Sequence, residues 1–354
     1  LENSESYLQK NNKIKFKIAC KKQNINKKEL INFIDSWSKT KLLVIGDSIL
    51  DQYAGCEALG MSAEAPVLVV RELQKKDFIG GASIVASHIK SLGAECEFLS
   101  VIGRDAEGQI IKKELSDKGI LCEFIEDDSR PTTFKKRYIV ENQKLFRVSR
   151  LNDHFLNKTI EEKFIEKLEK LAPNVNGIVV SDFVYGVITP KIIMKVVELS
   201  NKYNFKIFAD TQCSSQIGLI TKFKNFTLLC PNEKEARIAL QDKESGLESL
   251  SKNLISETGS EMLIMKLGAQ GFVAFDPNFE GISSQSFPAL SSNPVDVSGA
   301  GDSLLAIMAT ALSTDRKFMT AAALGCCMSA IAVENMGNKP IYASQLKEFI
   351  ADLF

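Results

Sequence analysis

Histidine is nearly absent from this chain: His88 and His154 are the only two in 354 residues. The eight cysteines, at 20, 56, 96, 122, 213, 230, 326 and 327, form no C-x-x-C pair, so a Cys/His metal centre lacks both its ligands and their spacing. Net charge is missing as well. Lys plus Arg and Asp plus Glu balance at 44 each, which disfavours nucleic-acid binding through bulk electrostatics and confines any anion site to a local arrangement. No apolar run reaches the roughly 18 residues of a membrane span, and no signal-peptide pattern opens the chain. No G-x-G-x-x-G follows the first strand-like segment, where Gly46-Asp47-Ser48 stands instead. That argues against a dinucleotide-dependent oxidoreductase. Several cysteines lie in apolar runs, as buried free thiols do, and a reducing cytoplasm is the expected compartment.

What is present is 45% hydrophobic and 25% charged residues, an ordinary globular balance that suits one large α/β domain with an appended piece. Residues 1–40 differ from the rest. They are rich in Asn and Lys, with an amphipathic stretch from Lys28 to Trp37. They read as an N-terminal extension or linker ending in a helix that docks on the body. The chain opens on Leu1, as a piece of something longer would.

The body, residues 41–354, begins at Leu42-Leu43-Val44-Ile45-Gly46, a buried-strand pattern. Helices over Ala82–Leu92, Ala106–Lys118, Thr159–Leu171, Pro190–Tyr203 and Glu233–Leu240 then alternate with strands over Cys96–Val101, Gly177–Ser181, Lys206–Ala209, Thr227–Cys230 and Met262–Lys266. Such alternation predicts a mostly parallel sheet covered by helices on both faces. Val67–Ile79 and Thr132–Val148 break it with period-2 strands, with Glu141-Asn142-Gln143 as a turn. A small separate β-sheet, from about 52–79 and 122–150, is the expectation. It would be either a lid that excludes water from a transfer reaction or a plain structural hairpin.

The most informative segment is Asn293-Pro294-Val295-Asp296-Val297-Ser298-Gly299-Ala300-Gly301-Asp302, which runs at once into the apolar stretch Ser303–Ala309. A glycine-flanked helix N-terminus offers unpaired N–H groups and a positive dipole end to an anion. Asp302 would repel a bound phosphate unless it takes a proton from a hydroxyl that attacks it. A plain N-cap is the alternative. Gly80-Gly81 opens another helix and admits either a close ligand or a tight turn. Asp51, just beyond the first strand, can accept from two sugar hydroxyls or serve as an N-cap or surface acid. Asn232 and Glu235 share a helix face, fit either to hold hydrated Mg²⁺ near phosphates or to close a capping box. Lys266-Leu267-Gly268-Ala269-Gln270-Gly271 either walls a nucleotide pocket or makes a simple hairpin.

Together these pieces resemble the ribokinase-like (PfkB) carbohydrate kinases over roughly Lys41 to Leu346. Asp296-Val297-Ser298-Gly299-Ala300-Gly301-Asp302 matches their D-x-T/S-G-A-G-D signature, Gly80-Gly81 their glycine pair, and Asn232/Glu235 their N-x-x-E. The resemblance implies a three-layer sandwich with a β-lid and an ATP-dependent sugar kinase. It implies Asp302 as base, an anion hole at Gly299, Ala300 and Gly301, and Mg²⁺ organised by Asn232 and Glu235. Lys266, Gly268, Gly271 and Ser298 would face the nucleotide, and Asp296 would help hold a monovalent cation such as K⁺. Asp51, Gly80, Gly81, Lys135, Arg137 and Asp182 would face the sugar.

Within the family the nearest resemblance is to the kinases of bacterial heptose biosynthesis, which phosphorylate C1 of a heptose 7-phosphate. It rests on Gly46–Tyr53, on Ser62-Ala63-Glu64-Ala65-Pro66-Val67, on Arg130-Pro131-Thr132-Thr133-Phe134-Lys135-Lys136-Arg137 and on Ser181–Gly186. The chain departs from that pattern at Ile84 for Asn, Gly60 for Arg and Tyr185 for Lys, and Asp210-Thr211-Gln212 stands for D-P-K. Each missing cation removes a charge-assisted hydrogen bond worth about 1.5–3 kcal/mol. An unphosphorylated sugar, or a phosphate held by Lys135 or Arg137, would follow. The rival from another class is a sugar- or nucleotide-binding regulatory protein without turnover. A nucleotidyltransferase, fused or associated, is the partner such kinases have in heptose pathways, and exposed lid strands that pair edge to edge would make a homodimer.

Overall fold

One long strand organises the molecule. In the computed structural model, which describes residues 2–141, 143–212, 218–277, 284–291, 294–314 and 317–354, β1 runs from Lys41 to Met61 and belongs to two sheets. Its first half is buried on both faces, as the unbroken apolar run Leu42–Ile45 requires. Its second half leaves the core and pairs antiparallel with β2 (Leu68–Gly81).

Before β1 come α1 (Glu2–Lys22) and α2 (Lys27–Asp35). Phe16, Ala19 and Cys20 of α1 and Leu30, Phe33 and Ile34 of α2 are buried, so much of the stretch expected as extension or linker packs on the body. The Phe16 ring lies 6.3 Å from Phe287 and 6.0 Å from Phe354.

After β2, the chain forms α3 (Ala82–Ser91), β3 (Glu95–Ile102), α4 (Ala106–Asp117), β4 (Leu121–Glu126), β5 (Thr133–Val140) and β6 (Gln143–Arg150). It continues with α5 (Lys158–Leu171), β7 (Gly177–Asp182), α6 (Pro190–Tyr203), β8 (Lys206–Thr211), β9 (Leu228–Leu229), α7 (Glu233–Leu240), α8 (Leu247–Thr258) and β10 (Met262–Lys266). The last elements are β11 (Phe272–Phe275), β12 (Ser284–Phe287), α9 (Ala300–Thr314), α10 (Phe318–Val333) and α11 (Ala343–Leu353). Local chemistry sets several boundaries. The Thr189 side chain caps α6, Pro190 takes its first turn, and Asn204 ends it in the left-handed conformation.

The main sheet has the order β12-β11-β10-β9-β8-β7-β1-β3-β4. It is parallel except at the β10–β11 and β11–β12 pairings. One apolar layer joins α3, α9, α10 and α11 to one face; a second joins α5, α6, α7 and α8 to the other. α9 and α10 are buried almost all round, as their nearly continuous apolar sequence demands. Among the described residues no helix is long and apolar enough to cross a membrane. The lid consists of the outer half of β1 with β2, β5 and β6.

The expected lid boundary near residue 122 needs correction. β4 pairs parallel with β3 at the edge of the main sheet, so the second lid segment starts at Thr133. Residues 121–124 of β4 are only partly covered, which gives this main-sheet strand the look of a lid strand. Asn142 and Asn293 of the motifs above lie outside the described residues.

Candidate active site

The parallel strands end on a single rim, where side chains from opposite ends of the chain meet. Asp302 occupies the first turn of α9 and is 4% exposed. Gln212, just past β8, donates its Nε2 to Asp302 Oδ1 at 3.5 Å. Burial pushes the Asp302 carboxyl up to about 7, against the pull of Lys266 and Lys135 and with a further push from Asp51. A carboxylate poised there can accept a proton near neutral pH. The turn before it depends on Gly299, whose φ is +81°. A side chain there would also collide with Asn338, whose Oδ1 lies 2.3 Å from the position a Cβ would take. The face of Gly301 looks onto two nitrogens, Gln212 Nε2 and Lys266 Nζ, at 3.2 and 3.3 Å from such a position.

Asp51 sits across the rim, buried, in an ion pair with Arg137 of β5. Asn338 Nδ2 donates to its other oxygen at 3.4 Å. Gly80 leaves room for this carboxylate: a Cβ would fall 2.6 Å from Asp51 Oδ2. Gly81 follows at the cap of α3 with φ +63°. Lys135, 3% exposed, lies over the rings of Phe183 and Tyr185 at 5.1 and 5.0 Å. Tyr185, one of the departures from the heptose-kinase pattern, is thus a platform, in the loop after β7, for a lysine of β5. Ile84 is fully buried in the core, and Gly60 lies in the exposed outer part of β1. Asp182 ends β7 in an ion pair with Lys222. Asp47 beside it is raised to about 7, by burial first and Asp182 second.

On the third side, Asn232 and Glu235 close a capping box at the start of α7, with Asn232 N to Glu235 Oε2 at 2.7 Å and Glu235 N to Asn232 Oδ1 at 2.8 Å. Lys266 pairs with Asp210 at 2.6 Å. Burial alone would lower the Lys266 pKa, but Asp210 and Glu235 hold it raised. Among the described residues Asp210 Oδ1 is buried without a hydrogen-bond partner, and Glu235 is near enough to act on Asp210 electrostatically. An orphaned acceptor beside a second carboxylate fits a hydrated Mg²⁺, which takes most of its ligands from water and phosphates. Among the described residues no dry cage of three or more His, Cys, Asp or Glu exists. A cleft of ≈ 840 Å³, lined in part by Asn232, Lys234, Arg237, Lys266 and Gly268, opens beside α7, a size that suits a nucleotide. Gly271 is not in that lining; its backbone packs against Phe287 O of β12.

Asp296 does not fit the expected monovalent cation. Its Oδ1 accepts from Lys144 Nζ at 2.7 Å and Ser298 N at 3.0 Å, and its Oδ2 from Tyr53 OH at 2.7 Å and Gly337 N at 3.2 Å. Burial would raise this acid, yet Lys144, Tyr53 and Ser298 hold it down to about 2. Sequence reasoning missed Lys144, Asn338 and Asp210 as site residues. Asp210 had a signal, since it ends a strand on the ligand-binding rim; Lys144 and Asn338 belong to no motif.

The arrangement of a buried acid on a glycine-rich helix start, a lysine–carboxylate cluster and a β-lid defines a phosphotransferase of the ribokinase-like class, and comparison agrees. The profile of the pfkB family carbohydrate kinases matches residues 39–342, so the chain belongs to the PfkB family of carbohydrate kinases. It is 32% identical over 317 residues to the bifunctional protein HldE of Campylobacter jejuni (serotype O:2), covering 89% of this chain and 65% of that one. To HldE of Geobacter sulfurreducens it is 31% identical over 309 residues, covering 86% and 61%. The chain therefore spans somewhat less than two thirds of these relatives. Escherichia coli phosphofructokinase-2 in complex with potassium shares the fold with a TM-score of 0.73 at 16% identity, covering 89% of this chain and 99% of that one. Arabidopsis thaliana ribokinase with ribose and ATP does so at 0.68 and 18%, covering 88% and 99%.

Proposed function

We propose that this chain is an ATP- and Mg²⁺-dependent kinase of a heptose or heptose phosphate, acting in the synthesis of surface-carbohydrate precursors. The observation that carries the chemistry is Asp302, buried and raised to about 7 beside the glycine turn. The sugar hydroxyl lies between Asp51, Asn338 and the Gly80-Gly81 backbone. Asp302 takes its proton as the hydroxyl oxygen bonds to the γ-phosphorus and the bond to the bridging oxygen of the leaving diphosphate breaks. N–H groups at Gly299, Ala300 and Gly301 and the Lys266 ammonium receive the charge that moves onto the phosphoryl oxygens. Asp210 and Glu235, with Asn232 capping the same helix, would hold Mg²⁺, which when bound neutralises phosphate charge. Ser298 and the turn at Gly268 border the nucleotide.

The heptose assignment draws on the HldE relatives and on the cations that remain. Lys135, buried over two rings, and Arg137 supply positive charge for a sugar phosphate even though Gly60, Tyr185 and Gln212 do not. Asp182 is tied to Lys222 and shapes this wall. Unpaired cysteines suit a reducing cytoplasm. Leu59, Met61, Leu68, Val69 and Leu73, exposed on the lid, favour a homodimer through the lid. A nucleotidyltransferase that consumes the sugar 1-phosphate is the expected partner, fused or separate.

The test is ADP release with ATP and Mg²⁺ against heptose 7-phosphates, free heptoses and hexoses. Turnover on a heptose 7-phosphate, lost in Lys135→Met, supports the assignment. Turnover on free sugars alone keeps the kinase and overturns the phosphate pocket. No turnover on any sugar, with ATP still bound, overturns the kinase reading for this chain.

A further inference from the structure

Asp296 precedes the Ser298–Gly301 turn and is nearly buried, at 4% exposure, and its hydrogen-bond partners among the described residues are all donors. A carboxylate offers about four lone-pair sites. Here Lys144 Nζ and Ser298 N take those of one oxygen, and Tyr53 OH and Gly337 N those of the other. A bound monovalent cation needs oxygens with lone pairs to spare, but the neighbouring loop shows Asp296 the Gly337 N–H. Among the described residues the one full positive charge in contact with it belongs to Lys144, whose Nζ also reaches Ser298 Oγ at 3.3 Å and lies 5.8 Å above the Tyr53 ring. Arg137 sits over the same ring at 5.2 Å. Tyr53 and Lys144 both come from the lid, on β1 and β6.

We propose that the Lys144 ammonium is this site's built-in cation, carried by the lid onto Asp296, so that phosphoryl transfer needs no added monovalent ion. The inference rests on the kinase reading above. Lys144 is a positioning residue: it holds Asp296, and Asp296 holds the Ser298 N–H and with it the turn that leads into α9. A lid that lifts withdraws the charge and the Tyr53 hydroxyl together, so the turn is fully held when the sugar is enclosed. Lys144 is about two-fifths exposed, at 43%, which keeps the expected effects moderate.

The experiment measures turnover in tetramethylammonium chloride and in KCl at equal ionic strength, for the wild type, Lys144→Met and Lys144→Arg. The wild-type rate should differ between the salts by less than about twofold, while Lys144→Met loses about fivefold in kcat and regains part of it in KCl. Lys144→Arg should behave as the wild type. A wild-type rate raised more than about tenfold by K⁺, or a Lys144→Met variant with unchanged kcat and no response to K⁺, overturns the proposal. Melting curves in the same salts keep it separate from the kinase reading. If nothing turns over, a K⁺-specific rise in Tm in Lys144→Met alone supports the built-in cation, and any other pattern overturns it.

Discussion

The two aspartates that bracket the glycine turn are equally buried, at 4% exposure each, and yet they are driven in opposite directions. Asp302, facing the floor of the site, has among the described residues a single long hydrogen bond, from Gln212, and is raised to about 7. Asp296, facing the lid, is filled with donors and held down to about 2. Burial pushes both acids up; at Asp302 it prevails over the pull of Lys266 and Lys135, whereas at Asp296 the donors overcome it. The floor keeps its acid short of hydrogen bonds and so able to take a proton, whereas the lid side satisfies its acid and uses it as an anchor.

The comparison breaks first at Asp302. Asp302→Asn should lower kcat by about 10³-fold with the nucleotide Kd unchanged; near-normal turnover would remove the base. The same variant should raise the melting temperature at pH 8. An acid raised from 3.8 to about 7 in the folded state holds a proton that the unfolded chain releases, so its stabilisation is complete below the unfolded value and lost as pH rises through the folded one. Next in size, kcat/KM should fall about tenfold per pH unit below about 7 as Asp302 protonates. In Lys266→Met that limb should move to higher pH, because the Lys266 charge lowers the Asp302 value; a limb that stays in place would show that another group titrates. Asn338→Ala should raise the sugar KM about tenfold while kcat changes little, since it removes one hydrogen bond to the Asp51 carboxylate. The smallest effect belongs to the lid side. Asp296→Asn should cost about 1 kcal/mol of stability at pH 7, a depressed acid partly screened by the exposure of Lys144. The cost should vanish as pH falls from 3.8 towards 2, the interval between its two pKa values, and urea titrations at several pH values would measure it.

Features whose cause lies within a few residues were legible in the sequence. α6, α7 and β10 start and stop where caps, prolines and apolar runs predict, and the turn ending in Asp302 is where its glycines place it. Asn232 and Glu235 carried two meanings, and the capping box is present in a position that still faces Lys266 across the Asn232–Lys266 bridge. The hairpin reading of Lys266–Gly271 is met by β11, which returns antiparallel to β10; α8 and β12 were not anticipated, and β12 is only four residues, too short for a periodic signal. The contacts that complete the site leave no local record. Asn338 meets Asp51 across 287 residues of sequence and Lys144 meets Asp296 across 152. Nothing near Lys144 marks its carboxylate partner, because tertiary packing supplies it.

The long reach of the Asn338–Asp51 contact also governs how the enzyme comes into being. β1 and β2, which pair early in the sequence, can form a hairpin as soon as they are made, and β3 can join them. Asp302 and Asn338 are added only when α9, α10 and the loop beyond have been synthesised. A nascent chain can therefore hold a nearly complete sheet and a lid with no functioning centre. Along the path of synthesis, catalytic competence waits for Asn338, well after the sheet and lid are in place.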